Sequence, residues 1–167
     1  DHTILDPKAT VHDVKEKCDE AKEYDLTAVC VQPCYVPLAA KLLEKSSVKV
    51  ATVVGFPLGA ETVESKAYET KDAVRNGAQE IEMVANISAI KGKKWDLIQE
   101  EIKAVIDSTK IAGVTKDIVT KLIIETCYLT DEEKKQACKV INEAGADFVK
   151  TSTGFGTAGA EVEDIRL

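Results

Sequence analysis

Lys150 has the setting that points most clearly to chemistry. It lies in AGADFVKTSTG at residues 144–154, which reads as a buried strand ending in a loop of small residues. An ammonium at the end of an apolar strand is costly unless it is paired or used, because burial disfavours the charged form. A neutral amine is a nucleophile toward carbonyls, and Schiff-base catalysis requires one. The following TGFGT at 153–157 can offer backbone N–H groups and hydroxyls to an anion such as phosphate. The plainer alternative is a strand-end lysine that snorkels to water. Other residues with chemistry recur at or near the ends of apolar runs: Asp1, Cys30, Glu82 with Asn86, and Lys121 with Glu125.

Composition removes several competing chemistries. A net charge of -7 argues against a nucleic-acid surface, which needs clustered Lys and Arg. The five cysteines (Cys18, Cys30, Cys34, Cys127 and Cys138) are odd in number and irregular in spacing, and they match no zinc motif. Free thiols in a reducing, cytoplasmic setting are expected. His2 and His12 are the only histidines, too few to favour a His-based metal site or a Ser-His-Asp triad. No apolar run is long enough to span a membrane, and no signal peptide is visible.

The elements that must position Lys150 follow from the apolar pattern. Runs at 1–5, 28–31, 48–56, 80–87, 121–126 and 146–151 have strand length, and their near-continuous apolar character predicts strands covered on both faces of a parallel sheet. Amphipathic stretches at 10–24, 36–45, 62–76, 95–110 and 130–143 predict the intervening helices, with a further start at 160–167. Thr10 is an expected cap, Thr130 with Glu133 an expected capping box, and Gly77 and Gly145 expected helix ends. The order is that of repeated β/α units, which fits a doubly wound sheet or a TIM (β/α)8 barrel. No strand is followed by G-x-G-x-x-G or a P-loop lysine. Polar residues at the ends of several strands favour the barrel. A whole barrel takes about 250 residues, so this chain of 167 holds about six of eight units. It reads as a single domain, 1–167, truncated at both ends, with two exposed sheet edges.

The sequence resembles the deoxyribose-phosphate aldolases, a family of class I (Schiff-base) aldolases on a TIM barrel. The resemblance spans the whole chain. GADFVKTSTGFG at 145–156 is its most specific piece, supported by DHTIL at 1–5, VCVQP at 29–33, KVATVVGFPLG at 49–59, KAYET at 66–70 and KLIIET at 121–126. It implies reversible cleavage of 2-deoxy-D-ribose 5-phosphate to D-glyceraldehyde 3-phosphate and acetaldehyde, without metal or cofactor, in a protein that often forms dimers. By motif, Lys150 is the imine-forming lysine. Glu82 stands where the family usually has an aspartate that works with a water in proton transfer; the alternative is an ion-pair partner for a lysine. Lys121 matches an active-site lysine that favours the neutral form of Lys150 or binds substrate oxygen; the alternative is a strand-start lysine facing solvent. Asp1 matches an aspartate near the substrate hydroxyl, and Cys30 a cysteine near the substrate, with a buried apolar role as its alternative. Thr153 and Gly154 match part of the phosphate site.

A second lysine and most phosphate-binding residues of the family belong to later strands and loops. This chain alone is therefore expected to be weak or inactive. Two other functions stay open from the residues: a Schiff-base lyase for another phosphosugar, and a non-catalytic barrel homologue or fragment.

Overall fold

The computed structural model describes residues 1–110 and 117–167. Six strands form one parallel sheet: β1 (His2–Ile4), β2 (Ala28–Val31), β3 (Lys49–Val54), β4 (Glu80–Val84), β5 (Val119–Ile123) and β6 (Phe148–Lys150). Each pairs with the next, in the order β1-β2-β3-β4-β5-β6. Doubly wound sheets reverse direction at a switch point, whereas a barrel adds every strand on the same side. The unbroken order is therefore barrel topology.

The sheet also curls. Strands lie about 4.8 Å apart, so a flat sheet would hold β1 and β6 roughly 24 Å from each other. Instead the Asp1 carboxylate, beside β1, lies 2.8 Å from Lys121 Nζ on β5 and 3.7 Å from Lys150 Nζ on β6. Only a closing barrel wall brings those side chains to one place.

The helices are α1 (Val11–Glu23), α2 (Val36–Leu43), α3 (Val63–Arg75), α4 (Ile87–Lys91), α5 (Trp95–Thr109), α6 (Asp131–Ala144) and α7 (Val162–Arg166). Thr10 and Thr130 each make a full capping box, with Asp13 and Glu133, and Gly145 ends α6 at φ +89°. Outward-facing strand residues such as Val29, Val50, Ile81, Met83 and Leu122 pack under the helices in one large core. Inward-facing residues of β1 to β3 make a separate small cluster of Leu5, Ala28, Cys30, Ala51 and Val53. The barrel interior is thus apolar on its β1–β3 side.

Three expectations shift. The run 80–87 is not one strand: β4 stops at Val84, and the Asn86 side chain accepts from Ala89 N to open α4. An Asx cap overrode the apolar pattern. Lys121 is not a strand start, because β5 begins at Val119 and the lysine sits mid-strand facing inward. β6 is not the buried strand expected from its sequence: Phe148 and Val149 are exposed, because β6 is an edge of the sheet and, among the described residues, pairs only with β5. Among the described residues, no helix is long and apolar enough to cross a membrane.

Candidate active site

The site is assembled by strand parity. Alternate residues of a strand share a face, so Glu80 and Glu82 on β4 point the same way. Register then sets their neighbours: Glu82 lies opposite Lys121, and Ile123 opposite Lys150. These positions face the barrel interior on its β4–β6 side, next to the small apolar cluster: Val53 pairs in register with Glu82, and Cys30 lies close to the same carboxylate.

Lys150 Nζ donates to Glu82 Oε2 at 2.5 Å. Lys121 Nζ contacts Glu82 Oε1 at 3.4 Å, Asp1 Oδ1 and Oδ2 at 2.8 Å, and Glu80 Oε2 at 2.6 Å. The last is an ion contact without hydrogen-bond alignment. Glu82 is fully buried, while the side chain of Lys150 keeps 30% of its surface exposed and that of Lys121 only 12%. Lys150 is therefore the more accessible amine of this pair, and Glu82 is a carboxylate shared between the two. The structure brings Lys150, Glu82, Lys121 and Asp1 together, as the sequence reading expected. The ion-pair alternative for Glu82 also holds, since its partners are those same lysines.

Cys30 lies inside the barrel on β2, fully buried. Burial first, and the nearby Glu82 charge second, push its thiol far above the usual cysteine range. It is a neutral thiol in the small apolar cluster, close to Glu82 and within the field of Lys150 and Lys121.

Thr153 departs from the expected role. Its N–H donates to Glu125 Oε1 at 3.2 Å, its hydroxyl donates to Glu125 Oε2, and the same hydroxyl accepts from Phe155 N at 3.0 Å. The donors that would have faced a phosphate are turned onto a buried carboxylate. Thr153 shapes the loop instead of presenting its hydroxyl. Gly154 has φ +83° and open space where a Cβ would point, so the exposed side of the loop is at this residue. Sequence reading gave Glu125 no role in this clamp. It held no local signal, because the partner is 28 residues away. Glu80 was missed as well, although its i, i+2 spacing from Glu82 could have found it.

The same end of the barrel opens on a cleft of about 480 Å³ lined by Leu5, Gln32, Val53, Phe56 and Glu69, among others. Such a volume suits a small phosphorylated sugar. Phe56, after β3, stacks edge-on against Phe155, after β6, at 5.4 Å between centroids, which ties the cleft to the Lys150 loop. No group of three or more His, Cys, Asp or Glu among the described residues could hold a metal ion.

A parallel barrel whose sixth strand ends in an ion-paired, solvent-reachable lysine defines the class I aldolase type of site. The model of the DeoC/LacD family aldolases matches residues 1–166, and the chain belongs to that family. It is 54% identical over all 167 residues to a deoxyribose-phosphate aldolase of Thermoanaerobacter pseudethanolicus, covering 74% of that protein. It is 55% identical to the one from Carboxydothermus hydrogenoformans, covering 72%. Among solved structures, 99% of the chain superposes on a deoxyribose phosphate aldolase from Aeropyrum pernix described as tetrameric, with a TM-score of 0.87, 32% identity and 67% of that chain covered. A crystal structure from Coccidioides immitis matches at a TM-score of 0.93 and 39% identity, with 99% of this chain and 63% of that one covered. The chain thus spans about three quarters of its curated relatives and somewhat less than two thirds of this last structure.

Proposed function

We propose that the chain carries the Schiff-base centre of a deoxyribose-phosphate aldolase, which cleaves 2-deoxy-D-ribose 5-phosphate reversibly to D-glyceraldehyde 3-phosphate and acetaldehyde. The observation that carries this reading is the 2.5 Å contact between Lys150 Nζ and the buried Glu82 carboxylate, at the end of a barrel strand and beside a cleft of substrate size.

Lys150 gives up a proton to water on its exposed side and, as the neutral amine, attacks C1 of the open-chain sugar. Loss of water leaves a protonated imine. A base removes the C3 hydroxyl proton, the C2–C3 bond breaks, and its electron pair forms the enamine while the imine nitrogen takes up the C=N pair. D-glyceraldehyde 3-phosphate departs. Protonation at C2 restores an iminium, and water releases acetaldehyde and free Lys150. Glu82 is placed to receive and return protons at C2. Lys121 and Asp1 hold the charge around it, with Asp1 near enough to accept from a substrate hydroxyl. Gly154 offers the open side of the loop to the phosphate. Glu82 reaches Lys150 directly, whereas the aspartate usual in the family works with a water.

Self-association, as a homodimer, and a cytoplasmic location belong to the same reading; sedimentation tests the first. The chemistry is tested on the full-length protein by borohydride reduction in the presence of acetaldehyde, followed by mass spectrometry. A two-carbon adduct on Lys150 is expected, and Glu82→Gln lowers turnover about 100-fold or more, in the range of a lost general base. A folded protein that forms no adduct on Lys150 overturns the proposal.

A further inference from the structure

Glu80 has no part in the reaction as described, yet it is a buried acid in the middle of the ion network. It is 3% exposed, and as the first residue of β4 it lies about 6.6 Å from Glu82 along the strand, toward the N-terminal end of the strands. Its Oε2 is 2.6 Å from Lys121 Nζ and its Oε1 is 3.4 Å from Lys49 Nζ. The network therefore alternates in sign: Lys49, Glu80, Lys121, Glu82, Lys150, with Asp1 bridging the two inner lysines. Three ammonium groups meet three carboxylates.

Lys121 has only three N–H donors and faces all three carboxylates. Its contact to Glu82, at 3.4 Å, is the longest; Glu80 and Asp1 hold it at 2.6 and 2.8 Å. Glu82 meanwhile sits 2.5 Å from Lys150. The division of Glu82 between two lysines is thus settled in favour of Lys150 because Glu80 draws Lys121 away toward the N-terminal end of the strands. Without Glu80, Lys121 would keep only Asp1 and Glu82 as anionic partners. It would move onto Glu82 Oε1 and occupy the carboxylate oxygen that Lys150 leaves available for the C2 proton.

We propose that Glu80 is a positioning residue: it holds Lys121 toward the N-terminal end of the strands and leaves Glu82 free to exchange protons at the Schiff base. This rests on the function proposed above. The step affected is specific. Glu82 takes a proton from C2 of the iminium, the C–H pair becomes the C1=C2 bond of the enamine, and the C=N pair returns to nitrogen. In deuterated water, reversal adds a deuteron at C2. Amine attack at C1 does not need that step.

The experiment uses acetaldehyde as the probe and reads two rates on the full-length wild type and its Glu80→Gln variant: borohydride trapping at Lys150, and methyl-proton exchange in deuterated water by NMR. Trapping is expected to stay within about threefold of wild type while exchange falls about tenfold or more, since a disengaged general base is worth at least that. Glu80→Asp keeps the charge but retracts it, and about a threefold loss of exchange with unchanged trapping is expected. It decides the matter if Glu80→Gln does not fold. Parallel loss of trapping and exchange, which a purely structural role would give, overturns the inference, and so does unchanged exchange. A wild type without any adduct on Lys150 overturns the aldolase reading itself. A wild type that traps, beside variants that exchange like it, overturns only the role of Glu80.

Discussion

Lys66 and Lys150 each touch a glutamate at 3.0 Å or less, yet the two contacts are built differently. Lys66, on α3, has no exposed surface and gives its three N–H groups to Gly59 O, Val84 O and Glu101 Oε1 at 2.9, 3.1 and 3.0 Å. Every acceptor is fixed by backbone or by packing, and Glu101 is itself held by Asn86 N. Lys150 has a shared carboxylate, a second carboxylate at 3.7 Å and an open side. The first lysine is saturated and fixes the loop between β3 and α3 against β4 and α5. The second keeps unfilled bonding capacity and solvent access. The difference teaches that a buried Lys–Glu contact by itself says nothing about reactivity; what matters is whether every donor already has a fixed acceptor.

The sharpest way to break the comparison is to remove each ammonium in turn. Lys66→Met strands Glu101 and two carbonyls, and loss of one partner of a buried pair costs about 3–5 kcal/mol. A large fall in melting temperature is expected, with trapping by acetaldehyde intact in the molecules that stay folded. Lys150→Met should show the opposite, with no adduct and little change in melting temperature. Burial holds the Glu101 carboxyl above its ordinary value despite Lys66. A raised acid favours the fold below its unfolded value of about 4.5 and loses that contribution as pH rises through the folded one. The Lys66→Met loss should therefore shrink at pH 5 relative to pH 8, as thermal melts at both values will read.

A smaller effect separates the two halves of the barrel mouth. Cys30, beside Glu82, is held as a neutral thiol by burial, while Cys34 is exposed. Thiolate is the species that reacts, so iodoacetamide at pH 8 should label Cys34 in the native protein and reach Cys30 only after denaturation. Early labelling of Cys30 in peptide maps would place it in the wet part of the site.

The smallest effect concerns α7. Asp164 pairs with Lys134 of α6 at 2.7 Å. That pair lowers the aspartate below its ordinary 3.8 and raises the lysine above its ordinary 10.5. The aspartate contribution is present above 3.8 and fades as pH falls through its lowered value; the lysine contribution is present below 10.5 and fades above it. Amide exchange in Val162–Arg166 should speed up slightly below pH 4, with no change at Lys66. Equal exchange at pH 3 and pH 7, after correction for intrinsic rates, would show that the pair does not hold the helix.

The order of the six strands and of the helices other than α4, the caps at Thr10 and Thr130 and the lysine at the end of β6 were legible in the sequence. They depend on local patterns: apolar runs, a hydroxyl before a helix, a strand entering a small-residue loop. The division of 80–87 into β4 and α4 was not, because one Asn side chain outweighed an apolar run that suits either element. Which carboxylates meet which lysines was decided only by the closed curvature of the sheet. Residues as distant in sequence as Asp1 and Lys121 come together there, and Thr153 turns onto Glu125 instead of toward a phosphate. The sequence by itself determined the elements, the barrel topology and the candidate nucleophile at Lys150. The tertiary structure alone decided how one buried glutamate, Glu82, is divided between two lysines, because that division depends on distances of a few tenths of an ångström set by strand register and sheet curl.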